Sequence, residues 1–175
     1  MNKETTVQRR RNSLRLASFD YSQPGAYFVT LCTHNQECLF GRIADGAMQL
    51  NEPGHLVAHA WRESLAPYLA VTLDEWVLMP NHLHGILVFD EHASTAPQEI
   101  TRNQRRNMLL SKCIGRFKMV SAKQVNAWRK TPGRSLWQRN YWEHVVRNDR
   151  DMQRIREYVR DNPARWELDR LFVPE

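Results

Sequence analysis

The sequence predicts an α+β protein in which helices pack on a mainly antiparallel sheet. Apolar strand segments alternate with helical segments, but without the regular strand–helix unit of a doubly wound parallel fold. Residues 71–79 and 82–89 have strand character and are separated only by Pro80 and Asn81, which predicts a tight hairpin. The 175 residues suffice for one domain with a substantial core.

The first half of the chain contains strands and one helix. Residues 26–33 are predicted to form a central strand, because both of its alternating side-chain sets are largely apolar. Residues 41–46 are predicted to be a loop, and residues 47–50 a short second strand. A helix is predicted from Asn51, a favoured N-cap residue, to Pro67, since apolar residues recur there at helical spacing.

Two helices are predicted in the second half. A long basic helix is expected over residues 101–125, whereas the aromatic-rich segment 136–146 leaves its element type open. The last helix is expected over residues 149–162, with Asn148 as N-cap and Pro163 ending it.

The net positive charge of the chain is the first indication of a polyanionic binding partner. The chain has 25 Lys and Arg against 19 Asp and Glu, a net charge of +6, and basic proteins attract polyanions such as nucleic acid. No apolar stretch reaches bilayer length, and the basic start of the chain lacks the hydrophobic segment of a secretory signal. The three cysteines show no metal-type spacing, and their odd number argues against a complete disulfide framework, so a reducing cytoplasm is predicted.

The histidine pair of the second hairpin strand predicts a metal site. His82 and His84 flank Leu83, so in a strand both imidazoles point to one face and the leucine to the other. Neutral imidazole is a common ligand of divalent metals. The alternative is that local hydrogen bonds satisfy both histidines.

The last helix offers a nucleophile. Tyr158 and Asn162 are i, i+4 neighbours on one flank of its apolar stripe, so both can face one site. A tyrosine hydroxyl can attack a phosphodiester if metal and basic groups stabilise the phenolate, because its unperturbed pKa is about 10. The alternative is an interfacial tyrosine with a packed ring and a hydrated hydroxyl. Residue type alone does not decide whether Tyr158 or one of Tyr141, Tyr21 and Tyr27 is the nucleophile.

Five blocks of sequence resemble a known family. MPNHLH at residues 79–84 resembles the HUH motif of single-tyrosine transposases, and IREYVRDNP at 155–163 resembles their catalytic-tyrosine helix. YSQPGAYFVT at 21–30, IGRFK at 114–118 and WQRNYWEH at 137–144 narrow the match to the REP-associated tyrosine transposases. The combination and its order are specific, although each block alone is a weak signal.

The resemblance implies a ferredoxin-like antiparallel sheet, the HUH palm, with packed helices and the catalytic tyrosine on a C-terminal helix. It implies Mg²⁺ or Mn²⁺ held by His82, His84 and a polar residue of the tyrosine helix, where Asn162 is in the matching place. Tyr158 is implied as the nucleophile that forms a 5′-phosphotyrosine link with single-stranded DNA. Asn162 precedes Pro163, which disfavours helical geometry, so a frayed last turn is expected. We find no nucleotide-cofactor motif.

DNA contacts are expected mainly between phosphates and basic side chains. The candidates, besides the N-terminal arm, are Arg102, Arg105, Arg106, Lys112, Arg116, Lys118, Lys123, Arg129, Lys130, Arg134 and Arg139. Trp128, Trp137 and Trp142 are candidates for stacking on unpaired bases. The alternatives are solvated surface charges for the former and core residues for the latter.

Three functions fit these observations. The first is a metal-dependent DNA transposase and endonuclease that cleaves and rejoins single strands near palindromic hairpins. The second is a catalytically inactive protein that binds palindromes or hairpins. The third is a metal-dependent enzyme acting on RNA or another phosphodiester, against which the complete tyrosine block argues.

The predicted organisation is a single catalytic domain. Residues 1–18 are expected to be a basic arm, residues 19–166 the HUH domain and residues 167–175 a C-terminal tail. A cytoplasmic, nucleoid-associated monomer or homodimer without a membrane partner is expected.

Overall fold

The computed structural model describes residues 20–91 and 108–174. Along the chain its elements are β1 (Gly25–Cys32), β2 (Gly41–Ala44), β3 (Ala47–Leu50), α1 (Glu52–Glu63), β4 (Val71–Leu78), β5 (His82–Phe89), α2 (Leu109–Trp128), β6 (Trp142–Val146) and α3 (Asp149–Asp161). Among the described residues, no helix combines the length and the apolar character needed to span a membrane.

A four-stranded antiparallel sheet forms the centre of the fold. Its strand order is β4-β5-β1-β6, while β2 and β3 form a separate hairpin. The chain passes through β1, α1, β4, β5, α2 and β6, which is the connectivity of a ferredoxin-like domain. The predicted fold class is therefore confirmed.

Both faces of the sheet are covered, which places the histidine strand in the interior. On one face Leu83 and Leu87 of β5 pack in a core with apolar residues of α1 and α2. On the other face Ile86 packs with Ile155 and Val159 of α3. The alternation of a strand therefore assigns the histidines to the α3 face.

The expected loop at residues 41–46 is wrong, because this segment is the first strand of a hairpin. Gly41 to Ala44 pairs with β3, and only Asp45 and Gly46 form the turn. Both turn residues have positive φ, 52° and 71°, as an Asp-Gly type I′ turn requires. The Asp-Gly pair is thus the signal that marks the hairpin.

The predicted helix starts are confirmed where the structure describes them. The side chain of Asn51 accepts from Gly54 N at 3.0 Å, and that of Asn148 accepts from Asp151 N at 2.9 Å. Helix α2 continues to Trp128, three residues past its predicted end; its predicted start at residue 101 lies outside the described residues. The undecided segment 136–146 contains strand β6.

An ion pair ties α3 to the edge of the sheet. Asp74 lies where the β4–β5 pairing shifts register between Leu73 and Trp76. Its carboxylate accepts from Nε and Nη2 of Arg156 at 2.8 and 2.6 Å. These hydrogen bonds lower the pKa of Asp74. Such a two-point contact restricts the rotation of α3 about its own axis, and with it the direction of Tyr158.

A substitution of Gly85 would test the close contact between β5 and α1. A Cβ on Gly85 would lie 2.6 Å from Cζ2 of Trp61, a fully buried side chain. We expect Gly85→Ala to lower the free energy of unfolding by about 1–3 kcal/mol through overpacking. Urea unfolding measures this change.

The matched control is Gly115→Ala on α2. A Cβ there would meet nothing within 4 Å, so this variant should gain about 0.5–1 kcal/mol from helix propensity. If Gly85→Ala were as stable as the parent protein, Trp61 would not pack against this strand.

Candidate metal and nucleophile site

The side chain of His82 presents an unused lone pair inside the protein. Its Nδ1 lies 2.8 Å from Oδ1 of Asn81. The amide NH₂ of Asn81 donates to the carbonyls of Gln36 and Leu171, so Asn81 Oδ1 is the acceptor and His82 Nδ1 carries the proton. The unprotonated Nε2 is buried and has no hydrogen-bond partner among the described residues. Since buried polar atoms are normally paired, this nitrogen suits a metal ion.

His84 lies beside it on the same face. Its Nδ1 is 2.8 Å from the Thr30 hydroxyl and its Nε2 is 3.2 Å from the Tyr158 hydroxyl. Burial lowers the pKa of His82 to about 4, against the opposing effect of Asp169. Burial, with a further contribution from His82, also lowers the pKa of His84 well below its usual value. Both imidazoles are therefore neutral near pH 7, which is the form that binds metals.

Helix α3 brings Tyr158 to the histidines. Its ring packs edge-on against Phe28, with centroids 6.0 Å apart, yet 46% of the residue is exposed. Burial, assisted by the carboxylate of Asp169, raises the pKa of Tyr158 to about 12. By contrast, Tyr21 and Tyr27 belong to the core on the other face of the sheet. Tyr158 is thus half-exposed, and its hydroxyl is protonated near pH 7.

Asn162 remains helical despite the proline that follows it. Its φ and ψ are −56° and −44°, so the expected fraying is wrong. The residue is 3% exposed, and its Nδ2 donates to Oδ2 of Asp169 at 2.9 Å, which holds it in place. Pro163 begins the 3₁₀ segment Pro163–Leu168, so the chain keeps turning. Oδ1 of Asn162 is buried and unpaired within the described part of the chain.

Asp169 is a member of the site that sequence reasoning missed. Its Oδ2 lies 4.0 Å from Nε2 of His82 and 3.4 Å from the Tyr158 hydroxyl. One ligand atom each from His82, His84 and Asp169 lie within 4.8 Å of one another. Asp169 lies in the segment interpreted as a tail, and no local pattern sets it apart. Only the turn after α3 brings it to the histidines.

The donor set fits a divalent cation. Two neutral imidazoles and a carboxylate converge, and the amide nitrogen of Asn162 donates to that carboxylate. Among the buried side-chain atoms that lack a hydrogen-bond partner within the described residues are Nε2 of His82 and Oδ1 of Asn162, both of atom types that bind metals. A cation would satisfy these lone pairs and offset the charge of Asp169.

Within the described residues, most of the side chains predicted to contact DNA belong to α2 and the segment after it rather than to the strand and helix that carry the histidines and Tyr158. Helix α2 packs on the sheet face opposite α3. Four of the predicted side chains on or after α2 make hydrogen bonds within the protein, and these are Arg116, Lys118, Arg129 and Arg134. Others are exposed, namely Lys112, Lys123, Lys130 and Arg139. Arg102, Arg105 and Arg106 lie outside the described residues. Contact between these side chains and DNA remains a prediction.

The three candidate tryptophans differ in environment. Trp137 is 7% exposed and belongs to the core, where its Nε1 donates to Ser121 Oγ. Trp128, at the end of α2, and Trp142, on β6, are 54% and 42% exposed. Stacking on a base is therefore geometrically open to the latter two.

Comparison with known proteins agrees with the resemblance seen in the sequence. The chain is 37% identical over 168 residues to an uncharacterized protein of Haemophilus influenzae (strain ATCC 51907 / DSM 11121 / KW20 / Rd), with 93% of each protein covered. It is 24% identical over 149 residues to a protein of the same strain named "Putative REP-associated tyrosine transposase", covering 83% of this chain and 74% of that protein. No family model matches the chain.

A solved structure extends the comparison to the fold. It contains a REP-associated tyrosine transposase bound to a REP hairpin and superposes with a TM-score of 0.52 at 19% identity, covering 82% of this chain and 68% of that one. The chain therefore belongs to one family with the 37% identical H. influenzae protein, and it is similar in sequence and in fold to the REP-associated tyrosine transposases.

Proposed function

We propose that the protein is an HUH single-tyrosine DNA transposase, a nuclease and strand transferase that cleaves and rejoins single-stranded DNA near palindromic hairpins. The observation that carries this proposal is the hydroxyl of the half-exposed Tyr158, 3.2 Å from Nε2 of His84, a residue of the candidate metal group. The fold shared with a transposase bound to a REP hairpin supports the substrate class.

His82, His84 and Asp169, with Asn162 beside them, would hold the metal, Mg²⁺ or Mn²⁺. When bound, such an ion polarises the scissile phosphate and neutralises the charge that develops on it. Asn81 contributes by fixing the tautomer of His82, because its Oδ1 accepts the Nδ1 proton.

Tyr158 would act as the nucleophile. Its oxygen forms a bond to phosphorus, the bond from phosphorus to the 3′-oxygen breaks, and the product is a 5′-phosphotyrosine with a free 3′-hydroxyl. The carboxylate of Asp169 lies within reach of the phenol proton, with Oδ2 at 3.4 Å from the hydroxyl, whereas Nε2 of His84, at 3.2 Å, cannot accept this proton while it holds a metal. The phosphotyrosine keeps the bond energy, so the 3′-hydroxyl of a strand can reverse the step without a nucleotide cofactor. Phosphoryl transfer of this kind depends chiefly on positioning and electrostatics.

The remaining parts of the proposal concern context. The basic arm of residues 1–18 and the exposed lysines and arginines on and after α2 would contact DNA phosphates away from Tyr158. The enzyme would act on DNA in the cytoplasm, at the nucleoid, as a monomer or a homodimer.

One test of the proposed function concerns the metal site. We expect Asp169→Asn to weaken Mn²⁺ binding about tenfold or more, because it removes the negative charge among the candidate ligands. Isothermal titration of Mn²⁺ into the protein without DNA measures this directly. The control is Asp161→Asn at the C-terminal end of α3, an exposed carboxylate 3.6 Å from Arg165, which should leave the affinity unchanged. Equal effects of the two variants would remove Asp169 from the metal site.

Another test of the proposed function concerns the nucleophile. Tyr158→Phe should abolish the covalent adduct with a single-stranded, hairpin-containing oligonucleotide and change hairpin affinity less than about threefold, because only the hydroxyl is lost. Adducts are detected by denaturing gel and mass spectrometry, and affinity by fluorescence anisotropy. Tyr68→Phe, a partly buried tyrosine beside the core on the other face of the sheet, is the control and should keep the adduct.

Two outcomes would contradict the proposal. Tight hairpin binding without cleavage by the parent protein in Mn²⁺ would favour the inactive binding protein. Cleavage by Tyr158→Phe, with products free of protein, would favour a hydrolase of RNA or another phosphodiester.

A further inference from the structure

An exposed tryptophan lies two strands away from the histidines, on the same face of the sheet. Thr30 of β1 is paired with His84 of β5 on one side and with Trp142 of β6 on the other. The three side chains therefore share one row across the sheet. Since neighbouring strands lie about 4.8 Å apart, the Cα atoms of His84 and Trp142 are about 10 Å apart. Strand β6 is an edge of this sheet, so its outer side is open in the described fold.

Packing connects the tryptophan to the tyrosine. The ring of Phe28 meets Trp142 edge-on at 5.6 Å and Tyr158 edge-on at 6.0 Å. Phe28 itself is 5% exposed, so it acts as a buried support under both rings. Trp142 nevertheless keeps 42% of its surface exposed. Its position is thus held by the core while part of its surface is accessible.

His144 adds a second ring to this face. It lies parallel to Trp142, with an interplanar angle of 5° and centroids 6.0 Å apart. Its Nε2 is 2.8 Å from Oδ2 of Asp151, whose other oxygen accepts from Arg154 at 2.7 Å. The imidazole orientation is therefore set by α3, the helix that also carries Tyr158.

Two arginines contact Asp151, the carboxylate that also holds His144. Arg147 follows β6 directly and donates its backbone N–H to Asp151 at 3.3 Å, and its side chain is exposed. The side chain of Arg154 is 73% exposed. Exposed aromatic rings beside cations suit a ligand with a flat apolar face and a negatively charged backbone. Single-stranded nucleic acid has both features, since its bases stack on aromatic side chains while its phosphates contact Arg.

We propose that Trp142 is a stacking platform for an unpaired base of the DNA strand that passes Tyr158. His144 orients the indole, and Arg147 and Arg154 contact the adjoining phosphates. The proposal rests on the proposed function, which supplies a single DNA strand at Tyr158. A span of about 10 Å corresponds to about three nucleotides at the stacked rise of 3.4 Å, so the base lies near the scissile phosphate.

The experiment uses the Tyr158→Phe protein, so that no strand is cut during the measurement. Hairpins with a single-stranded extension carry 2-aminopurine at one extension position at a time, and matched hairpins have no extension. We expect quenching of the fluorescence at one or two adjacent positions. The added change Trp142→Ala should remove this quenching and weaken binding of the extended hairpin about 10- to 100-fold, with no change for the hairpin without extension.

Two further variants separate stacking from a loss of structure. Trp142→Phe should keep part of the quenching, because phenylalanine also offers a stacking face. Met119→Ala removes another exposed large apolar side chain, 63% exposed on α2, and should leave both the quenching and the affinity unchanged.

The inference is overturned if Trp142→Ala leaves the quenching intact, if it weakens both hairpins equally, or if no extension position is quenched. The covalent-adduct assay on the protein with an intact tyrosine reports separately on the proposed function. Quenching that depends on Trp142 without any adduct would retain the base-binding site and reject the transposase chemistry. A covalent adduct together with quenching and affinity that do not depend on Trp142 would retain the transposase chemistry and reject the base-binding site.

Discussion

The antiparallel register of β5 against β1 is the constraint on which the candidate site depends. It places His84 opposite Thr30 and His82 opposite Cys32, with both histidines on the face covered by α3. A shift of one residue would turn the imidazoles into the core formed with α1 and α2, and would turn Leu83 and Leu87 toward the site. The burial of those leucines on the opposite face therefore stabilises the histidine geometry.

Electrostatics in the site is unbalanced without a cation. Burial and the nearby carboxylate of Asp169 raise the pKa of Tyr158, while His82 and Asn162 keep lone pairs that the described residues do not satisfy. Each feature opposes the stability of the folded chain or the formation of a phenolate. A divalent ion at these donors would satisfy the lone pairs and offset the charge of Asp169, and so would favour the phenolate in the proposed reaction.

Part of the basic charge in this protein is used inside the fold. On α2 and the segment after it, Lys118 donates to backbone carbonyls, and Arg134 pairs with Glu37, so part of the positive charge stabilises the fold. Arg156 likewise holds α3 through Asp74. The exposed arginines near β6 and α3 lie on the Tyr158 side of the sheet, whereas α2 lies on the other side. A DNA strand at Tyr158 would therefore lie near these arginines, which the clustering of basic residues in the sequence does not distinguish from the others.

What the sequence by itself determined is local. The Asn caps, the 71–89 hairpin, the alternation at His82 and His84 and the i, i+4 spacing of Tyr158 and Asn162 are set by short-range geometry, and each agrees with the structure. The Asp45-Gly46 pair is also a local signal for a hairpin turn, although residues 41–46 are predicted to be a loop.

Tertiary structure alone decided the rest. Asp169 reaches the histidines only because the chain turns after α3, and Trp142 joins the row of His84 only because β6 pairs with β1. Internal partners of Lys118 and Arg134 likewise lie far along the chain. Patterns of period 2 and 3.6 report which face a side chain occupies, but contacts between distant segments depend on how the elements pack.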